Sequence, residues 1–199
     1  KWNVRGLGNP CKMQTILAYF TQHDIHVALL EEIHLLSQTQ TPFARDWMAH
    51  HSFSHYSFYS QGTAVVIHKG TPHTVLAEVN DPGGRYNILS LILAVKPLTI
   101  VNTYGPNTDD AYFLWQLWQK IFTLPAGGIL WGGDFNLTLN RYADCSSLDH
   151  RTHKAAATAL NQIMQEHGLV ELWRLFHPGG RKGTYIATFH NSWARLGDP

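Results

Sequence analysis

The sequence predicts an α/β protein in which two packed mixed β-sheets are flanked by helices. Three observations predict it. Apolar, β-branched runs alternate with segments of helical period. Two of those runs, residues 88–95 and 98–103, lie close enough to pair as an antiparallel hairpin, which a purely doubly wound sheet would lack. Several strands then end in small polar clusters of similar type.

In chain order, Met13, Ile16, Leu17 and Phe20 recur at i, i+3, i+4 and i+7, which predicts a helix over about residues 11–22. A buried strand over 25–30 follows. Residues 42–61 are rich in His, Ser and aromatics without a sustained period and read as an irregular, partly looped crossing, after which strand resumes at 64–67. Lys96-Pro97 is the expected connection of the hairpin. Beyond Pro106 and Asp109-Asp110, the residues Leu114, Leu117, Trp118 and Ile121 show the helical period again, with the acids at the end the helix dipole favours. Residues 127–131 form a short strand ending in Gly132-Gly133-Asp134. Ala156, Ala159, Leu160 and Ile163 mark a third helix, with Gly168 placed to end it. A short segment over 169–176 and a strand over 184–189 complete the pattern.

The chain has 199 residues, 44% of them hydrophobic and 15% charged, with seven Trp, eight Tyr and nine Phe. That length buries a substantial core as one domain, and a charged fraction below the roughly 25% usual for globular proteins excludes intrinsic disorder while predicting limited solubility. Two cysteines, Cys11 and Cys145, are too distant in sequence for a thiolate metal motif and too few for a disulfide framework, so a reducing compartment is expected. No apolar run approaches the ~20 residues of a spanning helix, and Lys1-Trp2-Asn3-Val4 does not open a signal peptide, so no membrane partner is expected. The chain opens on what reads as the tail of a strand, and a fragment truncated at both ends is expected. Net charge is +1. Through residue 149 nine Lys and Arg face eleven Asp and Glu, net −2; the last fifty residues hold six against three, net +3. A net charge of +1 argues against a strong nucleic-acid footprint, and Arg174, Arg181, Lys182 and Arg195 read equally as a modest cationic face for nucleic acid or as an ordinary solvated basic surface.

The chemistry lies at the strand ends. Residues 27–30 run into Glu31-Glu32-Ile33-His34, residues 100–103 into Tyr104-Gly105-Pro106-Asn107, and residues 129–131 toward Asp134-Phe135-Asn136, while Asn3 takes the same place in the opening run. Strand ends gather residues distant in sequence on one rim, so one shared site is expected. Carboxylate oxygens with few other protein ligands suit Mg²⁺, which prefers oxygen and keeps several waters; Asn amides and a Tyr hydroxyl hold phosphate oxygens without adding negative charge. Such a set cleaves phosphodiesters. Each cluster taken singly also has an ordinary structural reading: Glu32 as a surface acid, Gly132-Gly133-Asp134 as a turn, Asn3 as the start of an Asx turn. No Ser-His-Asp pattern, P-loop or dinucleotide fingerprint is present.

Asn3-Val4-Arg5-Gly6-Leu7, Leu30-Glu31-Glu32-Ile33-His34-Leu35, Asn102-Thr103-Tyr104-Gly105-Pro106-Asn107 and Gly132-Gly133-Asp134-Phe135-Asn136 resemble the successive signatures of the endonuclease/exonuclease/phosphatase superfamily. Gly168-Leu169-Val170-Glu171-Leu172-Trp173-Arg174, Phe176-His177-Pro178 and Gly183-Thr184-Tyr185 resemble the endonuclease domain of LINE-type non-LTR retrotransposon polyproteins and, more weakly, abasic-site DNA repair endonucleases. The resemblance implies a DNase I-like four-layer sandwich, here lacking its C-terminal strands. It implies a Mg²⁺-dependent DNA endonuclease, with Mn²⁺ as an alternative ion. Glu32 would be the principal metal ligand with Asn3 beside it, Tyr104 would bind the scissile phosphate, Asp134 would orient or deprotonate the attacking water or protonate the leaving oxygen, and Asn136 would hold the phosphate. Asn107 and Thr184 are further substrate contacts. The nick would carry a free 3′-hydroxyl for a downstream reverse transcriptase domain in the parent polyprotein, which implies an intracellular, nuclear setting.

The chain departs from the family at Glu31, where Gln is usual, and at Ile33, where Thr is usual. Gly197 stands at the position of an Asp that supports the catalytic His, with Asp198 one residue late, and the final Ser-Asp-His of the family would fall beyond Pro199. Weak or absent nicking is therefore expected. None of the thirteen histidines, His34, His50-His51, His150 and His190 included, is assigned a catalytic role. The competing expectations are a phosphoesterase acting on a lipid or small-molecule phosphate and a decayed, non-catalytic remnant.

Overall fold

The computed structural model describes residues 1–36, 47–125, 127–140, 144, 153–180, 185–187 and 192–194. Among these, ten strands and four helices follow one another: β1 (Trp2–Asn3), α1 (Pro10–Gln22), β2 (Val27–Glu31), β3 (Met48–Ser54), β4 (Thr63–His68), β5 (His73–Asn80), β6 (Tyr86–Leu93), β7 (Lys96–Tyr104), α2 (Ala111–Phe122), β8 (Gly128–Asp134), α3 (Lys154–His167), α4 (Leu172–Phe176), β9 (Tyr185–Ala187) and β10 (Ser192–Ala194). They divide into two compact units, one formed by Lys1–Tyr104 with Leu124–Gly133, the other by Gly105–Thr123 with Asp134–Pro199. The expected α/β class, with two mixed sheets and flanking helices, is the one observed, and each of the two sheets has four strands.

In the first unit one sheet has the order β1-β2-β4-β3, parallel between β1 and β2 and antiparallel elsewhere. The other has the order β5-β6-β7-β8, antiparallel across β5, β6 and β7. Helix α1 starts where Asn9 accepts the backbone N–H groups of Cys11 and Lys12, with Pro10 in the first turn. It lays Met13, Ile16 and Phe20 on Ala28, Leu30, Ala64 and Val66, the face of the first sheet that points away from the second. Burying each of those three side chains contributes roughly 1.5–3 kcal/mol.

The interior between the sheets is divided along the strands. Leu29, Val65 and Ile67 of the first sheet meet Leu89, Leu91 and Ile100 of the second. Two residues further along the same faces the layer turns polar, with Glu31, Ser52, Ser54, Thr63, Asn87 and Asn102 all buried. Asn87 Nδ2 donates to Ser54 Oγ at 3.0 Å and to Asn80 Oδ1 at 2.7 Å, and Ser52 Oγ donates to the same Asn80 oxygen at 2.7 Å. Asn102 Nδ2 donates to the carbonyls of Leu30 and Ala64, each at 2.9 Å, so one amide of the second sheet binds two strands of the first.

That polar layer explains a difference from the sequence expectation. Within 42–61, where an irregular crossing is expected, β3 forms from Met48 to Ser54 and pairs along β4 with a register shift between Met48 and His50. Its inward positions, Ser52 and Ser54, are hydrogen-bonded rather than apolar, so the strand carries no hydrophobic alternation. Residues 42–46 lie outside the described residues. Strand β5 has no counterpart in the expected elements: its burial alternates residue by residue, but Leu76 on the exposed face hides the period. The hairpin turn is also displaced. Lys96 pairs with Leu93 and Pro97 with Ile92, which leaves Ala94 and Val95 as a two-residue loop, both with positive φ (45° and 75°) as a twisted hairpin requires. Strand β8 runs three residues beyond the expected strand, so Gly132-Gly133-Asp134 completes it instead of turning.

In the second unit, α2 buries the four expected residues Leu114, Leu117, Trp118 and Ile121, and α3 buries Ala156, Ala159, Leu160 and Ile163. Gly168 ends α3 at φ 66°, as expected. The two acids before α2 divide their work. Asp110 Oδ1 accepts from Phe113 N at 3.0 Å and caps α2, whereas Asp109 accepts from Ala155 N at 3.1 Å and Ala156 N at 2.8 Å and caps α3, whose own N-cap residue His153 makes no side-chain cap bond. The backbone N–H of Ala156, then that of Ala155, holds the Asp109 carboxyl below its ordinary value of 3.8.

Replacing Asn102 by Ala removes two buried hydrogen bonds, and the expected loss in urea unfolding is about 2 kcal/mol; a loss below about 0.5 kcal/mol would show that the sheets do not depend on it. For Asp109→Ala the expected outcome depends on pH. A depressed folded-state pKa stabilises above the unfolded value, so the drop in thermal midpoint relative to the parent is complete above pH 3.8 and closes as pH falls below it.

Candidate functional site

The first unit brings three of the expected residues together. Glu32 follows β2 immediately, Asn3 ends β1, which is parallel to β2 in register with Glu31, and Tyr104 ends β7. Asn3 Nδ2 donates to Glu32 Oε1 at 2.8 Å, and the Tyr104 hydroxyl donates to the same oxygen at 3.1 Å. Asn3 Oδ1 accepts the backbone N–H of Arg5 at 3.2 Å, which orients the amide so that its nitrogen faces the carboxylate. With Oε1 held by two neutral donors, Oε2 is the oxygen directed to His34, whose Nε2 lies 3.6 Å away. Arg85 lies over the Tyr104 ring, its Cζ 5.5 Å from the centroid, and Lys1 Nζ donates to the carbonyl of Gly133 at 3.0 Å. Neither cation carries a sequence signal: Arg85 sits in a glycine turn and Lys1 at the first residue.

The backbone around these residues is unusual. Glu32 and His34 both adopt left-handed conformations, φ 52° and 51°, and Arg5 does so at 46°. Each costs an L-residue about 1 kcal/mol. Between the two, Ile33 is fully buried in the core under α1. Backbone bonds from Gly6 to the Glu32 carbonyl and from His34 to the Gln61 carbonyl hold the segment.

The second unit joins another pair. Asp134 Oδ1 accepts the backbone N–H of Asn136 at 3.2 Å, an Asx turn, and the Asp134 carbonyl accepts from Gly105 N at 2.7 Å. Asn136, left-handed at φ 52°, donates from Nδ2 to the Gly105 carbonyl at 2.8 Å. Both side chains are half-buried. Asn107 is exposed and makes no hydrogen bond to another described residue. Thr184 lies outside the described residues, as do Arg181, Lys182, His190 and Arg195 to Asp198. Arg174, expected on a cationic face, is instead committed within its own unit: it pairs with the buried Asp144 at 2.6 Å, donates to the Gly180 carbonyl at 2.8 Å and stacks on Trp173.

Two glycines make these strand ends possible. At Gly133, with φ 130°, a Cβ would stand 2.0 Å from the Thr103 carbonyl oxygen; at Gly105 it would stand 2.2 Å from that of Phe135. No side chain fits either place.

Residues 2–196 match the Endonuclease/Exonuclease/phosphatase family. The chain belongs to this family. Solved structures similar to it include an AP endonuclease from Archaeoglobus fulgidus (17% identical, covering 98% of this chain and 82% of that one, TM-score 0.72). A 3′ phosphatase, NExo from Neisseria, bound to a product DNA hairpin, is 18% identical over 98% of this chain and 82% of its own, with a TM-score of 0.71. The 3′-5′ exonuclease NExo from Neisseria meningitidis is 17% identical over 98% and 83%, with a TM-score of 0.69. At these identities the likeness is one of fold, and the family fold is the two-sheet α/β architecture described above. Among the described residues no three His, Cys, Asp or Glu side chains group together as a ready-made metal site, and no helix is long and apolar enough to cross a membrane.

Gly133→Ala is expected to destabilise the family fold by about 2–3 kcal/mol, because backbone rather than a movable side chain meets the added methyl. Gly168→Ala, which meets nothing within 4 Å but keeps a positive φ, serves as the comparison and is expected to cost about 1 kcal/mol. Equal losses in denaturant unfolding would sink the close-approach argument.

Proposed function

We propose that this chain is a divalent-metal-dependent phosphodiester hydrolase acting on DNA, of the kind with which LINE-type retrotransposons nick their target. The observation that carries the proposal is the Asn3, Glu32 and Tyr104 cluster: one carboxylate whose first oxygen is held by two neutral donors, leaving its second to a ligand. A carboxylate is a hard oxygen ligand, and one that stands with few other protein ligands fits Mg²⁺ or Mn²⁺ retaining water in most positions, while the amide N–H and phenol O–H hold it in place. Glu32 would hold the ion, with Asn3 beside it. When bound, the ion supplies Lewis-acid stabilisation of a phosphoryl oxygen.

The remaining roles belong to side chains. The Tyr104 hydroxyl can turn from Glu32 to donate to a phosphate oxygen, and Arg85 over its ring adds positive charge nearby. Asp134 acts on the proton of the attacking water or of the leaving oxygen, and Asn136 Nδ2 donates to phosphate, both held by the Asx turn. Asn107 and, on the sequence likeness alone, Thr184 would contact the substrate. Support for DNA comes from the family, from the Neisseria 3′ phosphatase with its product DNA hairpin, and from the sequence likeness of residues 168–185 to retrotransposon endonucleases. In that setting the 3′-hydroxyl of the nick would prime a reverse transcriptase domain, and the protein would work in the nucleus.

Supercoiled plasmid incubated with the chain and Mg²⁺ or Mn²⁺ tests this. The expected product is open-circular DNA with a 3′-hydroxyl, formed slowly because Gly197 stands where the family carries Asp. Glu32→Gln and Asp134→Asn should each cut the rate at least about a hundredfold, the scale of lost electrostatic or acid-base catalysis. Nicking that survives both substitutions would overturn the proposal, and so would hydrolysis of inositol phosphates or sphingomyelin in place of DNA.

A further inference from the structure

We infer that His34 is a second protein ligand beside Glu32, so that the site takes an ion accepting imidazole nitrogen as well as carboxylate oxygen, with Mn²⁺ held by a bond that Mg²⁺ does not use. The inference rests on the proposed role of Glu32 as metal ligand. Three observations carry it. First, the separation fits: His34 Nε2 and Glu32 Oε2 are 3.6 Å apart, too long for a hydrogen bond and close to the roughly 3.0–3.4 Å between two ligand atoms that share one ion at about 2.1 Å. Asn3 and Tyr104 occupy the other oxygen and so leave Oε2 as the one that faces the imidazole.

Second, the backbone is built to turn both side chains the same way. Glu32 and His34 are left-handed on either side of Ile33, whose side chain anchors the segment in the core. A Cβ at Gly62 would stand 2.7 Å from Ile33 Cγ1, so the anchor is fitted closely. An arrangement that places two L-residues in a disfavoured region is retained where it presents something. Third, a glycine leaves room for the ring. Gly6, itself at φ 89°, lies against it, and a Cβ there would come within 3.3 Å of Nδ1. The side chains of His34 and Glu32 are 20% and 24% exposed, so an ion between them can reach solvent and substrate while the ligands stay held. Mn²⁺ is the weakest of the first-row divalent ions for nitrogen ligands and shares the preference of Mg²⁺ for oxygen, but as a transition ion it accepts an imidazole beside a carboxylate more readily than Mg²⁺, for which oxygen ligands dominate.

The test compares the parent chain with His34→Asn, chosen because Asn tolerates the left-handed backbone while its amide is too short to take the imidazole's place. His34→Gln is the second variant, and matched thermal melts confirm that each is folded. Free Mn²⁺ is read by electron paramagnetic resonance and Mg²⁺ by competition, while ¹⁵N-histidine spectra follow the His34 imidazole, assigned by its loss in the variants. The expected result is Mn²⁺ affinity about tenfold weaker in both variants, Mg²⁺ affinity changed less than about twofold, and His34 Nε2 broadened strongly by substoichiometric Mn²⁺. Unchanged Mn²⁺ affinity in the variants, with both ions weakened by Glu32→Gln, overturns the role of His34 alone. Binding of both ions that survives Glu32→Gln overturns the underlying site.

Discussion

Two hydrogen bonds from one buried amide tie the sheets of the first unit together at the end where their strands stop. Asn102 reaches from β7 to the carbonyls of Leu30, one position before β2 ends, and Ala64, one position after β4 begins. Burying the amide nitrogen is unfavourable unless its bonds are made, so these two bonds favour one distance and register between the sheets. Tyr104 is two residues beyond Asn102 on the same face, and Glu32 is two residues beyond Leu30. The 3.1 Å contact between them is therefore a consequence of the same register.

The apolar half of the interior has a different role. Leu29, Val65, Ile67, Leu89, Leu91 and Ile100 supply the burial that holds the sheets together, but such contacts are non-directional and tolerate sliding. The polar half, with Asn80, Asn87, Ser52, Ser54 and Asn102, is directional and admits one register. Cohesion comes from one end of the strands and alignment from the other, and Asn3, Glu32 and Tyr104 stand at the aligned end.

Left-handed backbone recurs at the same end, as it does at Asp24 and in the Ala94-Val95 turn. Arg5, Glu32, His34 and Gln61 are left-handed without being glycine, and Gly6, Gly62 and Gly84 join them. A chain leaving several strands within a few residues, with each polar side chain directed outward and Ile33 inward, needs more reversals than the favoured backbone regions provide. Gly105 and Gly133 meet a separate demand, the approach of backbone to backbone, which no other residue could satisfy.

Much of this was legible in the sequence. Helical period placed α1, α2 and α3 with their buried faces, β-branched runs placed β2, β4, β6, β7 and most of β8, and the polar clusters after those strands named Glu32, Tyr104, Asp134 and Asn136 as residues for which strand ends have a use. Local pattern could do this because each element buries an apolar face whose period is written in its own residues. It could not find β3, whose inward residues are Ser52 and Ser54, since their burial is compensated by partners on β5 and β6. Nor could it move the hairpin turn to Ala94-Val95, divide Asp109 from Asp110, commit Arg174 to Asp144, or set His34 beside Glu32 Oε2. The turn at Ala94-Val95 and the meeting of His34 with Glu32 depend on left-handed backbone that no hydrophobic period records, and the others belong to contacts between residues far apart in the chain, whose energy exists only once the chain has folded. The sequence by itself determined the elements that bury an apolar face and the kinds of group at their ends; the tertiary structure decided the strands with polar inward faces and which groups meet, because hydrogen bonds and ion pairs depend on position to a fraction of an ångström while hydrophobic period does not.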